Sequence, residues 1–201
     1  MGDFVVTRVR RTGPPRRSRT FDERLIARFP SLYRRGAAVF FGRLSPRNRL
    51  RRMLLRRGVL SGWASFDRRD YELNLVFFAP DVEFEFPAAL HALGLSDEFR
   101  GHAGRIEALE KIYEVWDVSD LEPTYILDLG NRFLNLGVWR AHARASGVPL
   151  EQEFAQLITV QDGLVTRDQN FFSWEDGLRA AGLDPHAIPR VGRLASTPLR
   201  R

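Results

Sequence analysis

The chain has 201 residues, 44% hydrophobic and 28% charged, with a net charge of +6 at pH 7. That is the composition of a globular chain long enough to bury a core, and the lack of cysteine excludes disulfides and thiolate metal sites. No apolar run approaches the ~20 residues of a membrane-spanning helix, and the N-terminus lacks the apolar stretch of a secretory leader, so a cytoplasmic protein is expected.

The charge is unevenly placed. Residues 1–60 hold 17 Arg against Asp3, Asp22 and Glu23, whereas the remainder holds 14 basic and 22 acidic residues. Lys111 is the only lysine, so the bias reads first as that of an Arg-rich proteome. Residues 1–20 are polar and broken by Gly13-Pro14-Pro15, which predicts a disordered tail. Residues 21–44 predict an N-terminal helical extension of two short helices divided at Pro30. Ser45-Pro46 reads as a helix start, Ser as N-cap and Pro at the first position, for a helix reaching about Asp67 with Leu50, Leu54, Val59, Trp63 and Phe66 on one stripe.

A short helix over 71–78 stops at Ala79-Pro80, and strand 81–86 alternates Val82, Phe84 and Phe86 with acids. After an irregular loop, an amphipathic helix covers 106–116. Four strands follow, over 121–129, 132–145, 150–161 and 164–172. Their turns are Gly130-Asn131, Ser146-Gly147 and Asp162-Gly163, the last a strong hairpin signal because both residues tolerate positive φ. A final helix over 174–181 ends at Gly182, and 184–201 reads as a basic tail. Helices segregated from an antiparallel meander define an α+β fold. No two histidines share metal-ligand spacing with a carboxylate, so no metal is expected, and no cofactor is implied.

Several segments together resemble the SnoaL-like branch of the nuclear transport factor 2-like superfamily of small bacterial proteins. They are Gly62-Trp63-Ala64-Ser65-Phe66-Asp67-Arg68-Arg69-Asp70, Pro80-Asp81-Val82-Glu83-Phe84, Gly101-His102-Ala103-Gly104-Arg105, Asp162-Gly163-Leu164-Val165-Thr166-Arg167 and the stretch from Glu175 to Leu183. The resemblance covers residues 45–183 and implies a cone: a curved antiparallel sheet wrapped around helices, with an apolar pocket at its mouth. It also implies a choice among chemistries, since the family includes steroid isomerases, polyketide cyclases, epoxide hydrolases and non-catalytic binding modules.

The residues those chemistries need are largely replaced. Where a steroid isomerase resembling this fold has its base, this chain has Phe86 before Pro87. Its acid donor falls on Gln156, and its Tyr near Ile112, one residue from Tyr113. The epoxide hydrolase triad falls on Gly137, Trp139 and Asn170. The cyclase acid falls nearest to Asp168, Glu175 or Asp176. These alignments share one parity, which sends Phe84, Phe86, Trp139, Phe154, Gln156, Ile158, Asp168, Asn170 and Phe172 into the cone beside Trp63 and Phe66.

Asp168 is then the one carboxylate of an aromatic pocket, its pKa raised by burial and suited to acid–base work. Gln156 and Asn170 would position a ligand oxygen, with Trp63, Phe84, Phe86, Tyr113, Trp139, Phe154 and Phe172 holding its apolar body. The expected function is binding of a small apolar, carbonyl- or ring-containing molecule, as an isomerase, cyclase or lyase. On that reading Asp168→Asn stops turnover and leaves the domain folded. Leu134, Leu136 and Val138 face outward and suggest a homodimer through the outer sheet face. The alternative is a non-catalytic dimeric binding module whose pocket is plain core. In that reading the basic arm, residues 1–57, contacts a polyanion, either nucleic acid or an anionic membrane.

Overall fold

The computed structural model describes residues 4–9, 18–87, 90, 98–186 and 188, with residues 118–120 described by backbone alone. One seven-stranded sheet, in the order β1-β4-β5-β6-β7-β2-β3, wraps around helices on its concave side. Its strands are β1 (Val5–Arg8), β2 (Phe78–Glu85), β3 (Glu98–Arg100), β4 (Trp116–Asp128), β5 (Arg132–Ala143), β6 (Pro149–Gln161) and β7 (Leu164–Phe171). All pairs are antiparallel except β2 with β7. The α+β class and curved sheet are those expected from the sequence.

The helices are α1 (Phe21–Arg28), α2 (Pro30–Arg43), α3 (Arg49–Asp67), α4 (Tyr71–Val76), α5 (Gly101–Val115) and α6 (Trp174–Ala180). A capping box opens α1: the Thr20 hydroxyl accepts from the Glu23 N–H, and the Glu23 carboxylate accepts from the Thr20 N–H at 2.9 Å. Pro30 occupies the first turn of α2, where a missing N–H costs nothing. The start of α3 differs from the expectation at Ser45-Pro46. Asn48 is the N-cap, accepting from the Leu50 N–H at 2.9 Å, and the preceding residues form a turn closed by Asn48 N–H to the Ser45 carbonyl. Proline is as well suited to a turn's second position as to a helix's first.

Two further expectations are corrected at the edges. Residues 5–8 form a strand, pairing Val5 to Arg8 with Asp128 to Tyr125 at the edge of the sheet, so the predicted tail is ordered there; residues 10–17 lie outside those described. Arg19 is also tied down, its guanidinium donating to Asp70 at 2.5 and 2.7 Å. Leu134, Leu136 and Val138 do face the convex side, but they are buried within the chain itself. Trp174 and Leu178 of α6 pack over this face with Tyr125, Leu127, Ala155, Leu157 and Ile188. The dimer expected through that face therefore loses the exposed aliphatics on which it rested.

The helical extension is anchored at both ends. Arg51 of α3, almost fully buried, donates to both oxygens of Asp128 at 2.6 and 2.8 Å and to the Leu44 carbonyl at 2.6 Å. One side chain thus joins α3, the end of α2 and the end of β4. At the other end, Gly163 lies flat on α2 with φ +79°, and a Cβ there would sit 2.4 Å from the Ala38 nitrogen. The Asp162-Gly163 hairpin turn is consequently also the seat of α2.

Candidate functional site

The concave face encloses a cavity of about 760 Å³, within the usual size of a small-molecule site. Its wall combines α3, β2, β5, β6 and β7 with α1 and α2. Of the residues singled out in the sequence, Trp63, Phe84, Phe86, Trp139, Phe154, Gln156, Asn170 and Phe172 all line it. Tyr113 does not. Its hydroxyl donates to the Phe66 carbonyl at 2.5 Å, and burial pushes its pKa up.

The aromatic lining is locked by ring contacts. Trp63 meets Phe154 edge-on at 5.9 Å, Trp139 stacks on Phe172 at 5.7 Å, and Phe84 meets Phe86 edge-on at 4.8 Å. Such pairs resist collapse of the pocket because each ring holds its neighbour's rotamer.

Asp168 is placed differently from the expectation of a carboxylate among aromatics. It is fully buried and does not line the cavity. Arg105 Nη1 donates to its Oδ2 at 2.9 Å, Gln156 Nε2 reaches both oxygens at 3.0 and 3.1 Å, and Asn170 Nδ2 donates at 3.1 Å. Full burial pushes the Asp168 carboxyl above its ordinary range and the Arg105 guanidinium below its own. Their mutual attraction and the amide donors oppose both shifts. Arg105 itself lines the cavity, its guanidinium 3.6 Å from the Phe78 ring centroid and its Nε donating to Asn74 Oδ1 at 2.9 Å. Gly101 to Arg105 carried part of the family resemblance, yet nothing in the spacing marked Arg105 as the partner of Asp168.

The pair sets the polarity of everything above it. An ionised carboxylate only accepts, so Gln156 must turn its NH₂ downward and its Oε1 upward. That oxygen accepts from Trp63 Nε1 at 3.2 Å and from Asn135 Nδ2 at 3.0 Å. Asn135, not among the residues singled out, lines the cavity, and its Oδ1 is buried with no hydrogen-bond partner among the described residues. Trp139 Nε1 is its donor counterpart, equally buried and unpartnered among the described residues. The strand parity that sent Trp139 inward also sends Asn135 inward, a signal present in the sequence.

Two helices add walls that strand reading could not supply. Ile26, Phe29, Tyr33, Ala37 and Phe40 of the extension line the cavity, and burial pushes the Tyr33 phenol up to about 12. Among the described residues, no three of His, Cys, Asp and Glu gather in metal-ligating geometry.

A cone-shaped α+β sheet around an apolar cavity with an amide-lined floor defines the class of fold. The SnoaL-like domain model matches residues 61–168, more than half of the chain, and the protein belongs to that family. Among solved structures it is similar to TerC co-crystallised with polyporic acid (28% identity, 58% of this chain and 89% of that one, TM-score 0.52). It is also similar to a nuclear transport factor 2-like protein of unknown function from Burkholderia pseudomallei (23%, 61% and 93%, TM-score 0.54). A candidate isomerase from Bacillus subtilis shares the fold at 18% identity (64% and 92%, TM-score 0.51). No curated protein matches the chain. The family match leaves α1 and α2 outside its span.

Proposed function

We propose that the protein binds a small, largely apolar ring compound in the cone and holds it by two polar contacts. The ligand presents an acceptor, such as a carbonyl, to Trp139 Nε1 and a donor, such as a hydroxyl, to Asn135 Oδ1. The observation that carries this reading is a pair of orphaned polar atoms on two residues that line an aromatic cavity. A buried polar group left unpaired costs about 1–3 kcal/mol, and a ligand of matching polarity relieves both at once. The likeness to TerC supports the reading, and polyporic acid is the first probe to try.

Calorimetric titration tests it. Wild-type chain should bind a ring compound carrying both a hydroxyl and a carbonyl, and Trp139→Phe and Asn135→Leu should each weaken it about five- to fiftyfold. Equal affinity for the wild type and both variants would remove the reading.

A second reading, catalysis of isomerisation or cyclisation, rests on the Arg105–Asp168 pair. Arg105 sets a positive charge on the cavity wall, where it would stabilise a developing oxyanion, and Asp168 reaches the ligand only through Gln156 and Asn170. Product analysis after incubation decides it: a rearranged ring compound supports catalysis, and unchanged ligand leaves binding alone.

A further inference from the structure

Ten large hydrophobic side chains are exposed among the described residues, and eight of them belong to α1, α2, α3 and the residue joining α1 to α2. Phe21, Leu25 and Phe29 repeat every four residues along α1 and its end, so they form one stripe; Leu50, Met53 and Leu54, at i, i+3 and i+4, share one face of α3. Arg57 Nε donates to Asp22 Oδ2 at 2.7 Å, which holds the two stripes side by side. Leu32 and Val39 of α2 extend the surface, at 70% and 54% exposure.

The same region is strongly basic. Residues 20–60 carry eleven Arg and two acids, Asp22 and Glu23. Glu23 is buried against Arg68 and Asp22 is held by Arg57, so neither offsets the exposed Arg24, Arg28, Arg35, Arg43, Arg49 and Arg56. An apolar strip set among arginines is the composition of a surface that lies in an anionic lipid headgroup layer. Nucleic acid would use the arginines and leave Phe21, Phe29, Leu32 and Met53 in water, so the apolar half of the pattern favours lipid.

The cavity meets the outside at this surface. Its exposed lining residues are Leu25, Phe29, Leu32, Gly36, Leu54 and Arg57, all on α1 to α3 or their junction. We infer that α1, α2 and the first half of α3 dock the protein on an anionic membrane, with the mouth of the cone against the bilayer. An apolar ligand then passes between lipid and cavity without crossing water. Docking rests on the surface alone; ligand passage rests in addition on the ligand-binding reading above.

Vesicle co-sedimentation of the full chain at 0.15 M salt tests the inference. Vesicles of phosphatidylcholine with about 30% phosphatidylserine should bind it about tenfold or more tightly than phosphatidylcholine alone. Phe21→Ser combined with Met53→Ser leaves the charge unchanged and touches neither the cavity lining nor a buried position, at 75% and 57% exposure. It should weaken vesicle binding about tenfold and leave titration with polyporic acid as it is in the wild type. Failure of that titration alone would sink the ligand reading and leave docking standing. Wild type that stays in the supernatant, a double variant that binds vesicles as well as wild type, or a duplex oligonucleotide that captures the chain in preference to the anionic vesicles would each overturn docking.

Discussion

Arg105 of α5 and Asp168 of β7 meet at 2.9 Å where the cavity wall joins the buried core, both side chains almost fully buried. Removing one partner leaves the other as an uncompensated buried charge. Asp168→Asn should therefore lower stability by about 3–5 kcal/mol, read as a drop in denaturation midpoint. This revises the sequence-based expectation that the substitution leaves the domain folded. An unchanged midpoint would mean that water reaches the pair.

Arg51 and Asp128 form a second buried pair, which clamps the helical extension to the sheet. Arg51→Met should cost about 3–5 kcal/mol, and Arg51→Met with Asp128→Leu should recover most of that loss. Equilibrium denaturation of the two variants checks it; a double variant as unstable as the single one would show that the backbone contacts to Leu44 and Phe41, not the ion pair, carry the clamp.

Gly163 should tolerate no side chain. Gly163→Ala places a methyl against the α2 backbone in a left-handed conformation, and a loss of about 1–3 kcal/mol is expected. Limited proteolysis should then cut first within α1 and α2. Cleavage unchanged from wild type would mean that α2 is seated elsewhere.

The Arg19–Asp70 contact gives a pH dependence. The guanidinium, helped by the Leu73 N–H, holds the Asp70 carboxyl below its ordinary 3.8. A folded pKa below the unfolded one means that the unfolded chain takes up the proton first as pH falls. The stabilisation is complete above the unfolded value and fades as pH drops through the folded one. Melting curves of wild type and Asp70→Asn should thus converge below about pH 3.8 and separate above it. A gap that does not vary with pH would contradict this.

The order of elements and the inward parity of β5, β6 and β7 were legible because they depend on local signals. Alternation along each strand and the turns at Gly130-Asn131 and Asp162-Gly163 fix which residues face the cone. That is why Trp139, Gln156 and Asn170 fall where expected. What covers a face is a different question, since alternation reports two faces and no partner. Leu134 and Leu136 accordingly read as an exposed interface, although α6 packs over them.

Long-range partners were equally hidden. Asp168 finds its guanidinium 63 positions away on another element, and β1 exists only because four residues pair with a distant strand edge. The walls from Phe29, Tyr33 and Phe40 follow from the docking of α2 on Gly163, a contact that no helical period encodes.

Capture of a ligand by Trp139 Nε1 and Asn135 Oδ1 is the function proposed for the cone. Nitrogen–proton spectra of the four tryptophan indoles test it most directly, with the Trp139 signal identified by its loss in Trp139→Phe. Titration with polyporic acid and with ring compounds bearing a hydroxyl and a carbonyl should move the Trp139 signal saturably, and plain hydrocarbons should not. A Trp139 signal that none of them moves, or that benzene moves as far as its oxygenated analogues, would contradict it.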